Sequence, residues 1–107
     1  MSLEITGQSS LIYNFEGPYD DTDDLQDRSG VYVIVCEENS ENIPIDVGES
    51  SKVKSRIESH DRKECWIQNC EGDLVVYVYY TPNQTKKSRM EIEQDIREKY
   101  NFPCGKI

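Results

Sequence analysis

At 107 residues the chain has room for one domain around a single core, and it is strongly acidic, with a formal charge of −9 at neutral pH. No apolar run approaches the roughly 20 residues that cross a bilayer, and residues 1–10 lack the charged and apolar stretches of a secretion signal, so a soluble, cytoplasmic protein without membrane contact is expected. The acidity also argues against tight non-specific binding to nucleic acid, whose affinity comes mainly from Lys and Arg neutralising phosphates.

The charge is unevenly spread. Residues 1–50 carry twelve acids and one base, whereas residues 51–107 carry nine acids and eleven bases. The bases gather at Lys52, Lys54, Arg56, Arg62 and Lys63, and again at Lys86, Lys87 and Arg89, enough for a local basic face.

In chain order, the apolar and aromatic run 11–15 reads as an added edge strand. Residues 19–27 hold five aspartates and read as a solvated loop, without the glycine and terminal glutamate of a calcium-binding EF-hand loop. The β-branched run 31–36, a polar turn at 39–42 and the run 43–47 predict a hairpin. Gly48 and the serines after it break the strand, and Ser50 or Ser51 is placed to cap a helix running to about His60. On that helix Val53, Arg56, Ile57 and His60 fall at i, i+3, i+4 and i+7, so Arg56 and His60 share an edge beside an apolar anchor.

A second short helix is expected over 63–69, with Trp66 and Ile67 packing inward, then a central strand over 74–80 rich in Val and Tyr. The last segment, 84–100, carries Ile92, Ile96 and Tyr100 on one helical stripe, with Glu93 at its border. The order β-β-α-α-β-α predicts an α/β single domain over 1–107: a central, mainly antiparallel three-stranded sheet flanked by helices, with the extra N-terminal edge strand. Cys36, Cys65, Cys70 and Cys104 form no C-x-x-C pair, so free thiols are expected. His60, Cys65 and Cys70 lie five residues apart in turn, and this spacing is poor for structural zinc.

One set of residues carries chemistry. Gly30-Val31-Tyr32 stands on the first hairpin strand, and Asp46-Val47-Gly48 on the second. Arg56 lies eight residues after Gly48, His60 four further on, and Glu93 sits in Ile92-Glu93-Gln94-Asp95-Ile96 ahead of the ending Pro103-Cys104-Gly105. This order resembles the GIY-YIG nuclease domain over about residues 29–105. The resemblance implies metal-dependent hydrolysis of a phosphodiester in nucleic acid, DNA in the first instance. Glu93 would hold a single magnesium or manganese ion. Arg56 would contact the scissile phosphate through its planar fork, Tyr32 would orient or deprotonate the attacking water, and His60 would assist proton transfer or phosphate binding. Lys52, Lys54, Lys86 and Lys87 are candidates for the nucleic-acid backbone.

The sequence departs from the family pattern twice. Asp46 stands where the second signature tyrosine belongs, either as a replacement general base or second metal ligand, or as a negative charge that disables phosphate binding. Gly105 stands where an asparagine is usual. The alternative to a nuclease is therefore an altered or inactive module on the same fold, binding nucleic acid or a protein partner.

Overall fold

The computed structural model describes residues 2–105. Five antiparallel strands form one sheet: β1 (Ser2–Thr6), β2 (Ile12–Tyr19), β3 (Gly30–Glu38), β4 (Glu41–Ser50) and β5 (Asp73–Tyr80), in the order β1-β2-β5-β3-β4. Helices α1 (Val53–Glu58) and α2 (Lys63–Gln68) cross one face, and α3 (Lys86–Lys99) covers the other. Among the described residues, no helix is long and apolar enough to cross a membrane.

The three strands expected from sequence lie next to one another as β5-β3-β4, and the sheet is larger than the expected three strands because β1 and β2 extend it beyond β5. Residues 12–15 of the run 11–15 belong to β2, which is not an edge. β2 lies between β1 and β5, with Tyr13 and Phe15 pointing into the core and Ile12 outward. The sheet curls until its two edges share a cavity of about 220 Å³, lined by Leu3 and Ile5 of β1, Pro44 of β4, and Ile96, Tyr100 and Phe102 from α3 and beyond.

Strand alternation sorts β3 between two cores. Val31, Val33 and Val35 pack with Phe15, Tyr77 and Ile96 under α3. Tyr32, Ile34 and Cys36 pack with Ile45, Val53, Ile57 and Trp66 under α1 and α2. The β3–β4 register shifts after the Ile34–Asp46 pair, where Val35 pairs with Pro44, leaving Ile45 as an extra residue.

Gly48 does not break the strand, since β4 runs through it to Ser50. Its missing side chain serves a close approach: a Cβ there would fall 2.3 Å from the Tyr32 hydroxyl of the paired residue. The helix after it is shorter than expected, ending at Glu58, and no side chain caps it: Lys52 is the N-cap residue, and Ser50 Oγ accepts from the Lys52 amide instead. Six-residue helices are unstable alone. Here Val53 and Ile57 bury α1, and Trp66 buries α2, while Ile67, expected inside, is exposed.

The cysteines are not free thiols. Cys36 pairs with Cys70 and Cys65 with Cys104, so α2 is tied to β3 at one end and to the C-terminal segment at the other. The spacing rule missed this because both bonds join residues 34 and 39 positions apart that only the tertiary fold brings together. With Cys65 and Cys70 each held in a disulfide, the His60, Cys65 and Cys70 zinc arrangement has no thiolate to offer.

Candidate functional site

Tyr32, Asp46, His60 and Glu93 lie in one region, where α3 packs beside β4 and the α1–α2 turn reaches β3. Tyr32, on β3, is 1% exposed, and its Oη lies 2.7 Å from Nε2 of His60 in the α1–α2 turn. The Arg62 amide donates to His60 Nδ1 at 3.0 Å, which leaves Nε2 as the protonated nitrogen and Tyr32 Oη as its acceptor. The His60 ring packs against Trp66 at 4.6 Å between centroids. Burial, joined by Arg56 and Arg62, lowers the His60 pKa to about 4. Burial raises that of Tyr32 to about 12. The pair is therefore a neutral imidazole on a neutral phenol at pH 7.

Asp46 is fully buried beside this pair and accepts from every side. Oδ2 receives Arg62 Nε at 2.8 Å and Trp66 Nε1 at 2.8 Å. Oδ1 receives the Val47 amide at 2.8 Å, Arg97 Nη2 at 3.1 Å and Arg62 Nη2 at 3.4 Å. A carboxylate removed from water needs this much compensation. With its acceptor sites taken, it has none left for a water or a metal ion in this arrangement.

Gly105 touches Asp46. Gly105 lies with φ +80° against the same cluster, and a Cβ there would stand 2.7 Å from Asp46 Oδ1 and 2.8 Å from Arg97 Nη2. Arg97 fills the space a larger side chain would take, donating also to the Val47 and Cys104 carbonyls and lying over the Phe102 ring. Asp46, Arg97 and Gly105 thus form one packed unit.

Glu93 projects from α3 toward this unit, with its Oε2 3.7 Å from Arg97 Nη2. Burial raises its pKa against the opposing pull of Arg97. Asp46, Glu49 and Glu93 are interleaved with arginines. Arg97 stands between Asp46 and Glu93, and the buried Arg89 donates from Nε to Glu49 Oε1 at 2.9 Å, tying α3 to β4. Arg56, on α1, pairs with none of these acids. Its Nη2 donates to Asp61 at 2.9 Å, and Asp61 Oδ1 also lies 3.4 Å from His60 Nδ1.

The lysines do not join this group. Lys54 Nζ is 3.9 Å from Asp23, and Lys52 and Lys54 both act on Asp27, whose pKa is lowered chiefly by hydrogen bonds from Ser55. Lys86 and Lys87 are exposed on the first turn of α3, in a shallow surface shared with Met90, Glu91 and Gln94. Sequence reasoning missed Arg62, Trp66 and Arg97 as parts of the site. The visible signals were the i,i+4 spacings of Arg62 with Trp66 and of Glu93 with Arg97. No protein-family model, no curated protein and no solved structure matches this chain.

Proposed function

We propose that the chain is a GIY-YIG-type domain that hydrolyses a phosphodiester in nucleic acid with a divalent metal ion. The observation that supports this reading is that Tyr32 and His60 are in hydrogen-bond contact, with Arg56 and Glu93 near enough to act on Tyr32 electrostatically, the four coming from β3, the α1–α2 turn, α1 and α3 in the chain order of the family pattern. Random surface charges do not gather a buried Tyr–His pair, a half-exposed arginine and a half-buried glutamate in one region.

Glu93 is the one carboxylate offered to a hard cation: among the described residues no group of three or more His, Cys, Asp or Glu gathers to hold a metal ion, so the ion would take its other ligands from water and phosphate. Glu93 is a carboxylate whose ionised form is disfavoured by burial and only distantly paired, so a cation beside it removes that cost. Glu93 would hold the magnesium or manganese ion, which supplies Lewis-acid stabilisation of charge on the leaving oxygen. The other residues act directly. Arg56 offers its fork to a phosphate oxygen once Asp61 gives way. Tyr32, a phenol at neutral pH, orients a water through its hydroxyl rather than deprotonating it. His60 fixes the phenol and keeps the centre uncharged. Asp46 serves as the anchor of the arginines, in place of either a base or a metal ligand.

A second reading, a non-catalytic module on the same scaffold, is favoured by the near-complete burial of Tyr32 and the filled acceptor sites of Asp46. The partner is then nucleic acid or protein. In either case the two disulfides point to an oxidising compartment in place of the expected cytoplasm.

Cleavage assays with DNA and RNA, in magnesium and in manganese, test the proposal. Metal-dependent cleavage is expected in the parent, abolished by Glu93→Ala and reduced on the order of 10² or more by Arg56→Ala. Cleavage without metal that survives both changes removes this site from consideration, and no cleavage by the folded parent favours the binding module.

A further inference from the structure

We infer that Arg62 is a second phosphate-contacting residue of this site and that buried Asp46 is the positioning residue that aims it. The inference rests on the phosphodiester reading above for the identity of the ligand, but its geometry stands independently. Arg62 is the residue common to all parts of the site. Its backbone amide fixes the His60 tautomer, its Nε and Nη2 grip Asp46, and its charge acts on Tyr32, His60, Asp61 and Glu93 alike.

Only one edge of the Arg62 guanidinium is used by protein. Nε and Nη2 point at Asp46, whereas Nη1 has no protein partner among the described residues, and 30% of the side chain faces solvent. Arg56 is comparably exposed at 39%, and its sole side-chain partner among the described residues is the exposed Asp61, which solvent can replace at little cost. Both side chains are linked to His60, Arg56 through Asp61 and Arg62 through its own backbone amide, and both guanidinium charges act on Tyr32 and His60. A phosphate oxygen brought to the Tyr32–His60 pair would come under the charge of both guanidiniums.

A guanidinium held on one edge by a buried carboxylate presents its other edge in a fixed direction, so little rotamer entropy remains to be lost on binding. Asp46 cannot turn, because Trp66, Arg97 and the Val47 amide hold its remaining lone pairs. The replacement of a tyrosine by an aspartate thus converts a position expected to handle water into one that organises cations.

The test is a titration of the protein in metal-free buffer with inorganic phosphate and, separately, with short single-stranded DNA, read by side-chain NMR of the arginine Nε–H groups. With phosphate, the Arg56 and Arg62 signals are expected to move together, and Arg62→Ala to weaken binding about tenfold or more, the loss of one charge-assisted contact. Arg62→Lys keeps the charge but cannot bridge Asp46 and phosphate, so it is expected to bind weakly too. Asp46→Asn gives opposite signs for the two explanations. Removing a negative charge strengthens phosphate binding if only Coulomb forces act, and weakens it if Asp46 aims Arg62. Trp66 fluorescence verifies that this variant is folded, and Arg62→Lys decides the matter if it is not. Movement of Arg56 alone, parent-like binding by Arg62→Lys, or tighter binding by folded Asp46→Asn overturns the inference. Joint movement with phosphate but no response to DNA leaves the two-arginine site standing and removes the nucleic-acid reading.

Discussion

His60 is the chain's single histidine, so its titration can be isolated from every other group between pH 7 and pH 5. Its pKa falls from 6.5 to about 4 in the folded protein. The unfolded chain therefore takes up the proton first. Stability is complete above pH 6.5, drains as pH falls toward 4, and loses nothing more to His60 below that. At about 1.4 kcal/mol per pH unit the whole loss is about 3 kcal/mol, of which about 2 kcal/mol appears between pH 7 and pH 5. Glu93, with its raised pKa, acts in the opposite direction as pH falls. The comparison that removes this and all carboxylate contributions is His60→Gln, which keeps an N–H donor for Tyr32 and has no proton to gain. Urea denaturation at pH 7, 6 and 5, followed by Trp66 fluorescence, should show the parent losing about 2 kcal/mol more than the variant over that range. Parallel pH dependence in the two proteins would refute a buried neutral His60, and with it the neutral Tyr32–His60 pair on which the proposed water orientation depends.

Gly105→Ala should destabilise the fold by about 2–4 kcal/mol in the same assay, since the left-handed backbone and the contact with Asp46 and Arg97 both oppose a Cβ; a change under about 0.5 kcal/mol would show that the segment is free to move away. Reduction of the disulfides by a dithiol should lower the melting temperature and shift the emission of Trp66, the only tryptophan, to longer wavelength, because α2 is pinned at Cys65 and Cys70. A loss of about 2–4 kcal/mol per bond is expected from loops of this length, and an unchanged melt and spectrum after complete reduction would contradict that role.

Much of the fold was legible in the residues. The β-branched runs around Tyr32 and Tyr77, the polar turn at Asn39 and Ser40, and the Ile92–Ile96 stripe each state a local period, and local period is what sequence carries directly. Local period likewise decided which elements carry Tyr32, Arg56 and Glu93, namely β3, α1 and α3, but not which of them meet. Gly48 was misjudged for a physical reason: glycine signals a strand break as readily as a close approach, and only the Tyr32 ring opposite it decides which. Tertiary structure alone decided the disulfides, the placement of β1 and β2 beyond β5, and the fate of Asp46. Whether a lone aspartate is a base, a ligand or an anchor depends on which donors surround it. Arg62, Trp66 and Arg97 come from positions 16, 20 and 51 residues away to do so. Their convergence is a property of packing, which no local pattern encodes.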